Sequence, residues 1–244
     1  MRNTKMYTFV LIHGGWHDGD SWQEVAKELR EKGHTVHTPT TAGHGPNVDR
    51  NVNHAQSTQS IVDYIIEHNL NNIILLGHSY AGSIISKVAE DISDRIQRLI
   101  YWNAFVLNDG ESMVEYLPHD YGKMFSVLAQ VSNHQSIMLP LDVWKATFIN
   151  DADEEMAERT YKKLNPEPYQ PFLDQLDLKK FYTLDIPKSF LNCLDDLTMP
   201  TGFWHPQTSS RLGIFKLVEM SGSHEVIFTN PVLLAEKIIE ASEE

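Results

Sequence analysis

Residues 77–82 read Gly77-His78-Ser79-Tyr80-Ala81-Gly82 and follow directly on the apolar run Ile73-Ile74-Leu75-Leu76. A serine among small residues, between a buried-strand pattern and a helix pattern, has the form of a nucleophile elbow. The turn is sharp enough to lift the hydroxyl clear of the sheet end. Small neighbours are needed because strand and helix backbones nearly touch beside it. The strict pattern is Gly-x-Ser-x-Gly; here Ala81 stands where the second glycine is usual, and Gly82 follows. The chemistry this predicts is attack by the Ser79 hydroxyl. A hydroxyl is a poor nucleophile at neutral pH, so a base must lie within hydrogen-bond reach, oriented by a carboxylate.

Catalytic groups of parallel sheets gather at the carboxyl ends of the strands. Beyond a strand predicted over Lys188–Cys193 comes Leu194-Asp195-Asp196-Leu197-Thr198-Met199-Pro200, where either aspartate could serve. Beyond a strand predicted over Ile214–Met220 comes Ser221-Gly222-Ser223-His224-Glu225. Serine, acid and histidine thus follow in the chain order expected of a triad on an α/β sheet. A developing oxyanion also needs donors. The N–H of Tyr80, the residue after the serine, is one. The N–H of Gly15, in the glycine loop His13-Gly14-Gly15-Trp16, is the other, since glycines let backbone approach a ligand closely.

Alternating strand and helix patterns position these groups. Tyr7–Ile12, Thr35–Pro39, Asn72–Leu76 and Arg98–Trp102 read as strands. The segments Ser21–Lys32 (Trp22, Val25, Ala26 and Leu29 on one face), about Ser57–His68 (Ile61, Ile65, His68) and Tyr80–Ile92 read as helices. That alternation predicts parallel strands joined by right-handed crossovers. From Phe105 to about Asp185 there are helical pieces and no convincing strand, which predicts a helical cap inserted between strands of a single domain. The acidic run Asp151-Ala152-Asp153-Glu154-Glu155 suits a solvated helix start. A short helix is expected over Pro206–Leu212. The last helix begins with Asn230 as N-cap and Pro231 at its first position, with Val232, Ala235 and Ile239 on one face.

Composition narrows the partners. The 244 residues are 41% hydrophobic and 22% charged, as in an ordinary globular α/β domain, and the net charge of −13 disfavours nucleic acid and anionic membrane. The lone Cys193 excludes an intrachain disulfide and, with no apolar leader in Met1–Tyr7, predicts a cytoplasmic protein. No metal site is expected: His13 and His17 straddle the glycine loop, and His34 and His37 bracket a strand start.

With these motifs in place the chain resembles an α/β-hydrolase, and within that superfamily the branch of plant methylesterases, hydroxynitrile lyases and related bacterial carboxylesterases. The resemblance is carried by Phe9-Val-Leu-Ile-His-Gly-Gly-Trp-His-Asp-Gly-Asp-Ser-Trp22, by Gly77-His-Ser-Tyr-Ala-Gly82, by Leu194-Asp-Asp-Leu-Thr-Met-Pro200 and by Ser221-Gly-Ser-His224. It implies an α/β-hydrolase fold, a mostly parallel central sheet flanked by helices, and no cofactor. It selects Asp196, four residues before the proline, over Asp195, and Gly15 as oxyanion donor. The lyases of the branch resemble one another in a threonine at the Gly14 position and a lysine directly after the catalytic histidine. Gly14 and Glu225 stand there instead, which disfavours the lyase reaction.

The expected activity is hydrolysis of small to medium, apolar carboxylic esters by Ser79, His224 and Asp196. The expected partner is a small-molecule ester, and a homodimer is left open. Met113, Met124, Met138, Trp144 and Phe148 of the cap would suit an apolar substrate or simply pack it; Trp16 and Tyr80 flank the site. Other triad chemistry, such as lactone or amide hydrolysis or carbon–carbon cleavage, and a ligand-binding protein with weak turnover are the alternatives.

Overall fold

A computed structural model describes residues 5–133 and 135–244. Six strands form one sheet: β1 Thr8–Ile12, β2 Thr35–His37, β3 Ile73–His78, β4 Ile96–Trp102, β7 Lys188–Cys193 and β8 Lys216–Met220. Their spatial order is β2-β1-β3-β4-β7-β8, and every pairing is parallel. Two more strands, β5 Ser136–Ile137 and β6 Glu167–Pro168, form a separate antiparallel ladder.

The strands read as continuous apolar runs because both sheet faces are covered. Phe9, Leu11, Ile74, Leu76, Ile100 and Trp102 face helix α1, Gln23–Glu31, and the last helix, Pro231–Ser242. Val10, Ile12, Ile73, Leu75, Leu99 and Tyr101 point to the opposite face, towards α2, His54–Glu67, and α3, Ala81–Ile92. Successive side chains alternate in direction, so one strand feeds both layers. The order reverses at β1, whose neighbours are β2 on one side and β3 on the other. Chains leaving β1 and β3 diverge there and open a crevice at their carboxyl ends.

Between β4 and β7, among the described residues, run five α-helices and the small ladder: α4 Met113–Tyr116, α5 His119–Ala129, then α6 Leu141–Val143, α7 Glu154–Tyr161 and, after β6, α8 Gln170–Leu173. The acidic run sits at the start of α7, where the Asp153 side chain accepts the Met156 N–H at 2.8 Å. The ladder departs from the expectation of no strand in this stretch. Two-residue strands leave no alternation to read.

Other departures are local. Helix α2 starts at His54, three residues early, because Asn53 and Gln56 form a capping box. His68 lies past its end and is exposed; the buried face is His54, Thr58, Ile61, Val62 and Ile65. The region expected as a helix over Pro206–Leu212 instead starts at Phe203 and is interrupted at His205 by non-helical backbone. A further turn of helix, α9 Val226–Thr229, precedes α10 Pro231–Ser242. In α10 Asn230 caps the Leu233 N–H at 3.1 Å, but the buried face is Leu234, Ala235, Ile238 and Ala241, and Val232 is exposed.

Candidate active site

Ser79 follows directly on β3 with φ of +54°, a left-handed conformation that few non-glycine residues adopt. The turn is held on both sides: Ser79 N–H donates to Trp102 O at 3.2 Å, and Phe105 N–H donates to Ser79 O at 3.0 Å. Crowding explains the small neighbours. A Cβ on Gly77 would lie 2.6 Å from Ala81 O, and one on Gly82 would lie 2.3 Å from Phe105 O. The tight approach thus falls on Gly77 and Gly82, while Ala81 is accommodated with no exposure.

The β1 register brings the glycine loop alongside. Ile12 pairs with Gly77, so Gly14 lies against the elbow, where a Cβ would meet His78 Nδ1 at 2.9 Å and Ser79 Cβ at 3.3 Å. His13 donates from Nδ1 to Gly14 O at 2.9 Å, while its Nε2 accepts the Thr41 N–H at 3.1 Å. Burial, then the neighbouring His44, holds His13 well below the ordinary histidine value and therefore neutral. The Gly14 carbonyl and the Gly15 N–H share one peptide plane and point in opposite directions, so the His13 bond also sets where the Gly15 N–H points. Among the described residues no acceptor is recorded for the N–H of Gly15 or of Tyr80, and both residues line the same pocket as Ser79.

Asp196 and His224 meet across the β7 and β8 loops. Asp196 Oδ2 accepts from His224 Nδ1 at 2.6 Å, and both side chains are almost fully buried. The carboxylate is also bonded by the Thr198 N–H at 2.8 Å, the Thr198 hydroxyl at 2.5 Å and Asn103 Nδ2 at 2.5 Å. Burial raises the Asp196 pKa, but the His224 charge and these donors outweigh it and hold it below the ordinary value. Burial likewise works against the imidazolium of His224, and Asp196 outweighs it, leaving His224 above the ordinary histidine value. Asp195 is exposed and accepts the Gly222 N–H at 2.7 Å.

Ser79 and His224 face one pocket, though no hydrogen bond links Ser79 Oγ to His224 among the described residues. Such bonds are often long before substrate binds. The walls are aromatic and aliphatic: Trp16, Phe105, Phe125, Phe148, Phe172 and Trp204, with Met113, Leu117 and Met199. Of the apolar residues expected from the sequence, Met113, Phe148, Trp16 and Tyr80 line it. Trp144 is packed away, its indole N–H bonded to Ala157 O, and Met124 and Met138 pack against the core.

Sequence reasoning missed Asn103. Its Oδ1 accepts the Cys193 N–H at 2.7 Å while its amide holds Asp196, so it ties the end of β4 to the acid loop. The available signal was its place one residue beyond the β4 carboxyl end. Glu225 bonds His17 Nε2 at 3.0 Å and is absent from the pocket wall. One group of possible metal donors occurs among the described residues, His78, His224 and Glu225, with ligand atoms within 4.8 Å of one another. Two of the three are already committed, His224 to Asp196 and Glu225 to His17.

Residues 9–236 match the model of the alpha/beta hydrolase family, and the chain belongs to that family. An extracellular alpha/beta-hydrolase from a Paenibacillus species is 43% identical and superposes with a TM-score of 0.95, covering 98% of this chain and 100% of that one. It is described as sharing structural and functional homology with tobacco salicylic acid binding protein 2. A carbendazim hydrolyzing esterase from a Nocardioides strain is 39% identical over 116 residues, so the match spans about half of each chain, 46% of this one and 48% of the relative. A pyrethroid hydrolase from Sphingobium wenxiniae is 24% identical over 95% of this chain and 86% of its own. No helix among the described residues is long and apolar enough to cross a membrane.

Proposed function

We propose that the chain is a carboxylesterase-type serine hydrolase acting on small to medium esters with apolar groups. The observation that carries this reading is convergence. One aromatic pocket receives a hydroxyl on a strained turn, an imidazole paired with a buried carboxylate, and two backbone N–H groups without acceptors among the described residues.

In this reading Ser79 Oγ attacks the ester carbonyl while His224 takes its proton. Asp196 keeps the proton of His224 on Nδ1, so Nε2 is free to act as base. The N–H groups of Gly15 and Tyr80 receive the oxyanion. Collapse breaks the bond to the alcohol, which leaves with the proton from His224. Water, deprotonated by His224, then releases the acid from the acyl-enzyme. These steps call for no metal and no cofactor. The segment from Phe105 to about Asp185 acts as a cap within a single domain and supplies Met113, Leu117, Phe125, Phe148 and Phe172 to the pocket. A neutral, apolar substrate fits such walls, because they offer few polar partners. A cytoplasmic location belongs to this reading on the strength of the single, buried Cys193, and cell fractionation checks it.

The test is hydrolysis of p-nitrophenyl acetate by the wild type and by Ser79→Ala. Turnover that falls by 10³-fold or more in the variant supports the reading. Equal rates in both proteins, or none in either, would sink it. The likeness to a protein described as functionally homologous to a salicylic acid binding protein favours a second reading, a binding site with weak turnover. Tight salicylate binding that survives Ser79→Ala, beside negligible ester turnover, would select it.

A further inference from the structure

Glu167 lies in β6, far along the chain from the glycine loop, yet it has no exposed surface. A buried carboxylate is costly unless its oxygens are hydrogen-bonded. Its oxygens accept two donors: the Trp16 N–H at 2.7 Å and His44 Nε2 at 2.9 Å. His44 Nδ1 lies 2.8 Å from the Thr41 hydroxyl. With Nε2–H donating to Glu167 and Nδ1 accepting from that hydroxyl, the chain Thr41–His44–Glu167–Trp16 is complete.

Trp16 is held at two further points, one of them on the same ladder. Its indole N–H donates to Ile137 O of β5 at 3.1 Å, and its carbonyl accepts the Asn165 N–H at 2.8 Å. Trp16 itself is left-handed, with φ of +65°, a conformation that needs such external support. The residue before it is Gly15, which has no side chain to anchor it. A Cβ built on Gly15 would lie 3.6 Å from Glu167 Oε2. The peptide on one side of Gly15 is pinned by His13 on Gly14 O, and the peptide on the other side is pinned by Glu167 on Trp16 N.

We propose that Glu167, oriented by His44, is a positioning residue that fixes the Gly15 N–H as an oxyanion donor by holding the Trp16 peptide. The inference rests on the esterase reading of the site. The necessary feature is an acceptor oxygen at the reach of a glutamate-length side chain, rather than a negative charge. Glutamine offers that oxygen, and His44 can accept the glutamine amide on Nε2 by moving its proton to Nδ1, which lies 3.1 Å from Ala42 O. Aspartate keeps the charge but falls one methylene short. Leucine keeps the bulk and removes the acceptor.

The experiment compares Glu167→Gln, Glu167→Asp and Glu167→Leu with the wild type on p-nitrophenyl acetate, with kcat and KM resolved and thermal unfolding recorded. A trifluoromethyl ketone, whose adduct places an oxyanion in the same hole, is the second probe. Glu167→Gln is expected to keep kcat within threefold. Glu167→Asp and Glu167→Leu are expected to lose 10- to 100-fold in kcat with KM within twofold, as for an ångström-scale displacement of a catalytic donor. Their affinity for the ketone should fall by the same factor as kcat/KM. Should the leucine variant fail to fold, the aspartate and glutamine variants carry the comparison. The reverse pattern, with Glu167→Asp active and Glu167→Gln impaired, would overturn the proposal in favour of an ion pair that merely stabilises the fold. Unchanged kcat in Glu167→Asp, or a loss confined to KM, would overturn it too. Wild-type turnover abolished by Ser79→Ala keeps these outcomes separate from a failure of the esterase reading.

Discussion

Asp195 and Asp196 are adjacent in sequence and differ completely in surroundings. Asp196 is buried against His224, Thr198 and Asn103, whereas Asp195 is exposed and caps Gly222. Asp196→Asn is expected to cost about 10³- to 10⁴-fold in kcat, because the amide favours the wrong tautomer of the base. Asp195→Asn should stay within a few-fold. Both are read by steady-state kinetics on the same ester, and equal losses would remove Asp196 as the orienting acid. The pH profile follows from the same pair. With His224 held above 6.5, kcat/KM should rise with pH through a midpoint above that value, as the base loses its proton. In Asp196→Asn burial is opposed only by the smaller pull of Glu225, so the midpoint of the residual activity should move to lower pH. The two partners also stabilise the fold over different ranges. The His224 contribution is present below 6.5 and lost as pH rises through its folded value. The Asp196 contribution is present above 3.8 and lost as pH falls through its own.

The elbow is decided between elements. Gly82 sits where α3 passes the backbone beyond β4, and any side chain there meets Phe105 O. Gly82→Val should destabilise the protein by ~1–3 kcal/mol, read as a lower urea midpoint, and should cut turnover by loosening the Ser79 turn. Ala81→Gly should leave kcat within a few-fold, because Ala81 already fits without strain. A large loss would mean that the departure from the strict glycine pattern is functional. Strands β1, β3, β4 and β7 were legible because their apolar runs are bounded by glycine, asparagine or charge, and α1 because Trp22, Val25, Ala26 and Leu29 recur at helical spacing. The buried face of α10 was misread: Leu233, Leu234, Ile238 and Ile239 give an apolar sequence almost all round, and only contact with the sheet selects a stripe. The pieces between β4 and β7 are too short to show a period at all.

At the scale of the whole molecule, burial of neutral histidines is the feature with a measurable consequence. His13 and His78 are held well below the ordinary value and His54 is lowered to about 4, in each case chiefly by burial. In the unfolded chain these groups bind protons near 6.5, so stability is lost as pH falls from there towards the folded values. Each contributes a slope of up to ~1.4 kcal/mol per pH unit. His224 works in the opposite direction, by one group. The urea midpoint should therefore be lower at pH 5 than at pH 7.5. His54→Gln should flatten the dependence by about one proton, and an unchanged slope would remove His54 as a contributor. The net charge of −13 shrinks on acidification and relieves repulsion, so a fall in stability cannot come from that source.

The order of strands and helices outside the stretch between β4 and β7, the elbow around Ser79, the glycine loop and the succession of serine, acid and histidine were written in the sequence itself. Each is written in neighbouring residues, as a period, a cap or a turn. The residues alone left two aspartates open and the family resemblance selected Asp196; only the tertiary structure decided that Asn103 braces it, which aromatic side chains wall the pocket and that Glu167 grips the peptide after Gly15. Glu167 is 151 positions from Trp16, and Asn103 is 93 from Asp196. Contacts at that range depend on how packed layers bring distant loops together, and no local pattern of residues records them.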